Sequence, residues 1–280
     1  MRRLSLLLLL LVPLAAGCGS EPSSLQGSDD ALTDASSSRI EWKLEGTGVP
    51  EWAVMRSTGS IDYANGRGEM VIKGKSDSAP EGRVLFIGRD SYLGAEVGDK
   101  MYWMKESIDD VTGADRFMPG PGGTSPDRLL KALIKSSEKV EKLGSEEIRG
   151  VTATHYRAHL DKTNPGLGIL KDEPGIVDAW IDEQGLPRRI RVPDGGENES
   201  AAVFDLFDFG VPVDVEAPPA NQIVSEDKMD KLMEKECAGA DKAPEKMNPL
   251  CLIFGATLMD SSSDSMQISP TETVPTTEGK

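Results

Sequence analysis

The side chains with intrinsic reactivity are few, and their spacing restricts what they could do. The 280 residues include two histidines and three cysteines. His155 and His159 lie in a segment of alternating polarity and are read as strand residues. Positions four apart on a strand share a face but stand about 13 Å apart, whereas a zinc–histidine bond is about 2 Å. The pair cannot hold one metal, and the expectation is two solvent-facing side chains. Asp178 and Asp182 flank Trp180, and paired carboxylates serve acid–base catalysis. In a chain with 47 acidic residues the expectation is instead a solvated face. Asp109, Asp110 and Asp115 lack the glycine and terminal glutamate spacing of a calcium loop. No serine stands in a Gly-x-Ser-x-Gly elbow. The run Pro119-Gly120-Pro121-Gly122-Gly123-Thr124 has no Lys-Ser/Thr after it, so it reads as a connector and not a phosphate loop. No catalytic residue, metal or cofactor is expected.

The cysteines carry more information. Arg2 and Arg3 form a short basic start, and Leu4 to Leu14 is almost wholly apolar. About eleven apolar residues are too few to span a bilayer, which takes roughly 20 in a helix, and they fit a signal peptide. Pro13 breaks the helix, and Ala15-Ala16-Gly17-Cys18 follows. That tetrapeptide resembles the bacterial lipobox, with Ala15 where leucine is commoner. The expectation is cleavage after residue 17 and acylation of Cys18, against the alternative of an ordinary secretory signal. The greasy core and polar Ser5 favour the general secretory route over twin-arginine export. Cys237 and Cys251 then remain as an even pair in an oxidising compartment, and a disulfide between them is expected.

Charge narrows the partners. The net charge is −16, and loss of Arg2 and Arg3 with the leader takes it to −18. Such a chain repels nucleic-acid phosphates. Attraction to anionic headgroups cannot hold it at a membrane, whereas two or more acyl chains on Cys18 suffice.

These residues need elements to position them. Gly19 to Ser38 is polar and without periodicity, so residues 18–38 read as a lipidated cysteine and flexible tether of roughly 25 Å. From Arg39 the pattern is β. Ile40 to Glu45 alternates, Trp52 to Tyr63 is extended, and Ala64 to Gly68 turns around Asn65-Gly66 into Glu69 to Lys73. Arg83 to Ile87, Ser91 to Leu93 and Lys100 to Lys105 are further strands. Ser125 as cap, Pro126 at the first position and Asp127 announce a helix over Pro126 to Ser136, with Leu129, Leu130, Leu133 and Ile134 on one face. Strands return over Lys139 to Ile148, Val151 to Asp161, Val177 to Asp182, Leu186 to Val192 and Ala201 to Phe209. On Val151 to Asp161 the even positions, Thr152 to Leu160, are expected inside. Residues 220–259 read as a helical extension carrying the disulfide, with Met229, Leu232, Met233 and Cys237 on one stripe. Residues 260–280 form a Ser/Thr/Pro-rich tail with the composition of disorder. The fold class is α+β, mostly β, with a single antiparallel sheet and helices on one face.

The order of the motifs is similar to that of the actinobacterial LppX/LprG-type lipoproteins. The likeness lies in Pro126 to Leu133, Val140 to Val151, Thr154-His155-Tyr156-Arg157, Val177 to Asp182 with Gly185 to Ile190, and Phe207-Asp208-Phe209-Gly210, within a domain at 39–219. It implies the LolA/LolB-like half-barrel, a curved antiparallel sheet with helices on its concave face, enclosing a hydrophobic cavity for a lipid or lipidated molecule. Aromatics make up only 5 % of the chain, too few to fill such a space. The expected lining is Met70, Ile72, Leu129, Leu133 and Leu160. The alternative function on the same scaffold is an extracytoplasmic sensor that binds a protein partner.

Overall fold

The computed structural model describes residues 25–46, 56–73, 81–107, 126–160, 175–193, 201–238 and 251. Cys18, the acidic run 109–115, the glycine-rich run 119–124, Ser125 and the tail 260–280 lie outside them. Among the described residues the helices include α1 (Ser28–Asp34), α2 (Pro126–Ser136) and α3 (Glu226–Glu236). The strands are β1 (Ser37–Glu45), β2 (Arg56–Asp62), β3 (Arg67–Lys73), β4 (Gly82–Ile87), β5 (Asp90–Val97) and β6 (Lys100–Ser107). They continue as β7 (Ser137–Ile148), β8 (Val151–Leu160), β9 (Ile176–Asp182), β10 (Pro187–Pro193), β11 (Ala201–Phe207) and β12 (Ile223–Val224).

All twelve strands form one sheet in the order β12-β6-β5-β4-β3-β2-β1-β11-β10-β9-β8-β7. It is a single open, curved, mostly antiparallel sheet built from two meanders, β1–β6 and β7–β11. They join where β1 pairs with β11 from Arg39↔Phe207 to Glu45↔Ala201. This order puts β6 and β7, consecutive strands, on opposite sides of the sheet. Between them in the chain, α2 packs on the sheet through Leu129, Leu130 and Leu133 of the main core.

Alternation decides which residues fill the core. Ile40 and Trp42 of β1, Met70 and Ile72 of β3, and Tyr156, Ala158 and Leu160 of β8 are buried in one cluster under the helices. Gly68 allows close packing there, because a Cβ would stand 2.3 Å from the Phe86 ring. The amphipathic α2 supplies Leu129, Leu130 and Leu133 and leaves Lys131 and Lys135 exposed. The β7–β8 turn uses positive φ at Arg149 (51°) and Gly150 (81°), the pair of left-handed residues that tight hairpins favour.

Two expected boundaries are corrected. Residues 25–38 are not tether: Leu25 and Leu32 are buried in the main core, and α1 touches α2. The Ser28 hydroxyl donates to Leu25 O at 2.6 Å, and the Thr33 hydroxyl donates to Asp29 O at 2.8 Å. A seven-residue helix has little stability of its own, so its local sequence gave no periodic signal. Nor does the body end at Pro219. Val213 and Val215, before it, cover Leu85, Tyr92 and Trp103 on the outer face, and beyond it β12 pairs in parallel with β6. The chain then rounds that edge, and α3 returns Met229 and Met233 to the main core.

Candidate ligand cavity

The described residues line a half-open cavity of about 680 Å³ at the β7 end of the sheet, within the 300–1,000 Å³ typical of small-molecule sites. Its floor is the inner face of β8, presenting Thr152, Thr154 and Tyr156, with Ile181 of β9 beside them. One wall is β7, through Ser137, Val140, Lys142 and Ser145. Leu25 and Gln26, just before α1, and Ile134 of α2 also line it, and the β9–β10 turn adds Asp182 and Glu183. Thr152 and Thr154 are less buried than Tyr156, Ala158 and Leu160 farther along β8 because they face this space and not the packed core.

The lining is amphiphilic. Leu25, Ile134, Val140, Tyr156 and Ile181 offer apolar surface, while Ser145, Thr152 and Thr154 offer hydroxyls that can donate and accept. The Asp182 carboxylate is committed to the fold. It accepts from the backbone N–H groups of Gln184 and Leu186, each at 2.9 Å, and from Arg188 Nε at 2.6 Å.

The residues expected to line a cavity are placed elsewhere. Met70, Ile72, Leu129, Leu133 and Leu160 are all buried in the contiguous core, and none of them lines the 680 Å³ cavity. Leu25 and Leu32, from the segment read as tether, pack into that same cluster and help to fill it. Sequence reasoning missed Leu25, Gln26 and the inner face of β7. The isolated apolar residues Leu25 and Leu32 in a polar stretch were the available signal.

The outer face carries the other polar candidates, and it differs from the solvated surface expected there. His155 stacks on Trp180 with ring centroids 4.1 Å apart. Its Nε2 lies 3.1 Å from Asp178 Oδ1 and its Nδ1 lies 3.3 Å from Glu146. Arg157 forks onto Asp178 at 2.8 and 3.2 Å, and Asp178 is buried. Burial opposes ionisation of Asp178, but the hydrogen bonds and charges of Arg157 and His155 outweigh it and hold the pKa below the ordinary carboxylate value. Arg189 forks onto Asp205 at 2.6 and 2.7 Å. These are ion pairs between neighbouring strands, β8 with β9 and β10 with β11. His159 contacts Glu141 at 3.8 Å and is set apart from the His155 cluster.

Cys237 and Cys251 are bonded, with Cα atoms 5.6 Å apart. Cys237 caps α3 through its N–H to Met233 O at 2.7 Å, and Cys251 is buried in the main core.

No protein-family model matches the chain. An uncharacterised 31.2 kDa protein of Streptomyces griseus is 24 % identical, covering 68 % of this chain and 74 % of that protein. A protein of Streptomyces coelicolor, named as a candidate lipoprotein, is 25 % identical over 72 % of this chain and 74 % of its own length. Among solved structures, the lipoprotein LppX of Mycobacterium tuberculosis matches with a TM-score of 0.47 and 14 % identity, covering 69 % of this chain and 98 % of that one. LprF of Mycobacterium bovis matches with a TM-score of 0.45 and 13 % identity, covering 70 % and 95 %.

Proposed function

We propose that this chain is an extracytoplasmic lipoprotein, anchored through acylated Cys18, that binds the acyl portion of a lipid or lipidated molecule in the 680 Å³ cavity. The observation that carries the reading is the composition of the cavity. Leu25, Ile134, Val140, Tyr156 and Ile181 accept an alkyl chain, and Ser145, Thr152 and Thr154 among them accept a polar headgroup. Each buried methylene contributes about 0.8 kcal/mol. A ten-carbon stretch therefore contributes roughly 8 kcal/mol before the costs of association, enough to hold a ligand that must also be released. The Streptomyces coelicolor relative, named as a candidate lipoprotein, supports the anchored, extracytoplasmic setting.

The test is chemical. Protein purified from its native membrane is extracted, and bound lipid is measured by mass spectrometry for the wild type and for Thr154→Trp. Thr154 is half-buried on the cavity floor, so the indole fills the space without entering the packed core. Co-purifying lipid falls by about tenfold, as for loss of roughly 1.4 kcal/mol of binding, and thermal stability stays near wild type. Equal lipid content in both proteins refutes the assignment.

A second reading, a sensor that binds a protein partner, draws on one observation. The five aliphatic residues expected to line a cavity are packed in the core. Absence of any extractable lipid from the wild type, together with a stoichiometric protein partner in the same preparation, selects this reading.

A further inference from the structure

Three features of the fold converge on one edge. The first is the length of chain between the proposed acylation site and the body. Only six residues, 19–24, separate Cys18 from Leu25, which is buried and lines the cavity. Seven residue steps reach at most about 25 Å when extended and about 15 Å as a random coil. The second is where apolar surface remains exposed. Among the described residues the large exposed hydrophobic side chains are Val140, at 38 %, and Leu143, at 47 %, and both lie on β7. The third is topology. Among the described residues β7 is an outermost strand of the sheet and also a wall of the cavity, through Val140 and Lys142. Leu143 falls at a bulge, between the Lys142↔Tyr156 and Gly144↔His155 pairs, and does not line the cavity.

From these we infer that β7, an outermost strand and one wall of the half-open cavity, is a membrane-docking edge, held against the bilayer surface by the short tether. A ligand then passes between membrane and cavity without crossing water. The charge pattern permits it. Although the chain is strongly acidic, the stretch around Val140 and Leu143 is neutral, with Glu138 and Glu141 against Lys139 and Lys142 and Lys139 paired with Glu141, and the uncompensated Glu146 and Glu147 lie at the far end of β7. Two exposed aliphatic side chains bind a bilayer weakly on their own. Anchoring changes this by raising the local concentration of the edge at the membrane, so that a weak contact is occupied. Long flexible tethers do not fix which face meets the lipid, and a reach of about 25 Å does.

The inference rests on acylation of Cys18 and on the cavity as the ligand site, so the test separates these from docking. Full-length acylated protein is reconstituted on vesicles of equal parts phosphatidylcholine and phosphatidylglycerol. An environment-sensitive NBD label is placed at Leu143→Cys and, as control, at Arg56→Cys, an exposed position on β2. On vesicles the label at 143 shifts to the blue and is quenched by lipids brominated along their chains, and the label at 56 does neither. In parallel, uptake of a pyrene fatty acid is measured from the same vesicles and from membrane-free solution. Leu143→Asp slows uptake from vesicles about tenfold, the loss expected when a tethered weak contact is removed, and leaves uptake from solution unchanged. A label at 143 as exposed to water as the one at 56 overturns the docking edge, even if the fatty acid still binds. Conversely, insertion of the label at 143 with no fatty-acid uptake by the wild type upholds the docking edge and refutes the ligand assignment.

Discussion

At the scale of single residues, Asp178 shows how burial and pairing compete. Its carboxylate is buried on β9 between Arg157 and His155 of β8, and the pair links the two strands. Its folded pKa lies below the unfolded value, so the group stabilises the fold fully above the unfolded pKa of about 3.9. That contribution is lost as pH falls through the folded value. Arg157 is 37 % exposed, which screens the pair. Asp178→Asn therefore costs about 1–3 kcal/mol at neutral pH, less than the 3–5 kcal/mol of a fully buried pair. Urea unfolding at pH 7 and at pH 3 checks the sign, because the gap between wild type and variant narrows in acid. A gap that widens in acid refutes the account.

Elements show where local sequence and tertiary packing part company. The helix α2 was legible because Pro126 at its start and the Leu129-Leu130-Leu133 spacing both act locally. The helix α1 was not, since seven residues with a glycine at the N-cap and no side-chain cap have no stability alone. It exists because Leu25 and Leu32 are buried against the core. Leu32→Ala thus costs about 2–5 kcal/mol, as for a filled core position, and the urea midpoint falls accordingly. A tether residue would shift nothing, so an unchanged midpoint returns α1 to the tether. The strand β7 has the opposite character. It is twelve residues long and almost wholly exposed, and register shifts interrupt its pairing with β8 at Ser137/Lys139 and Lys142/Gly144. Such bulges and edge lysines limit edge-to-edge aggregation, yet they leave Val140 and Leu143 accessible.

For the whole molecule, the joining of the two meanders into one open sheet is the organising event. The pairing of β1 with β11 brings together residues such as Ile40 and Leu206, so the core forms only when both meanders are in place. The last part of the chain secures the other edge: β12 lies on β6, α3 supplies Met229 and Met233, and the Cys237–Cys251 bond fixes Cys251 in the same core. A bond closing a loop of this size, with a sequence separation of 14, contributes about 3 kcal/mol in the chain-entropy view. Cys237→Ser with Cys251→Ser lowers the Tm by a corresponding amount in non-reducing melts. Added reductant narrows the difference between variant and wild type. Identical melting in both conditions removes the bond from the stability account.

The sequence by itself determined the mostly-β, single-sheet class and most strand positions, because alternation, turn residues and the α2 signals act within a few neighbours. It also determined the cysteine pairing, since one cysteine in the lipobox-like tetrapeptide leaves Cys237 and Cys251 as an even pair. It did not determine which inward-facing residues meet empty space. Met70, Ile72, Leu129, Leu133 and Leu160 have the right chemistry for a cavity and the right face, but the residues opposite them fill the gap. Those residues come from distant parts of the chain, Leu25 and Leu32 before β1 and Met229 and Met233 after β12, and no local pattern reports them. A cavity is a shortage of partners across a face, so only the tertiary structure, which brings Leu25, Gln26 and α2 to β7, β8 and β9, decided where it lies.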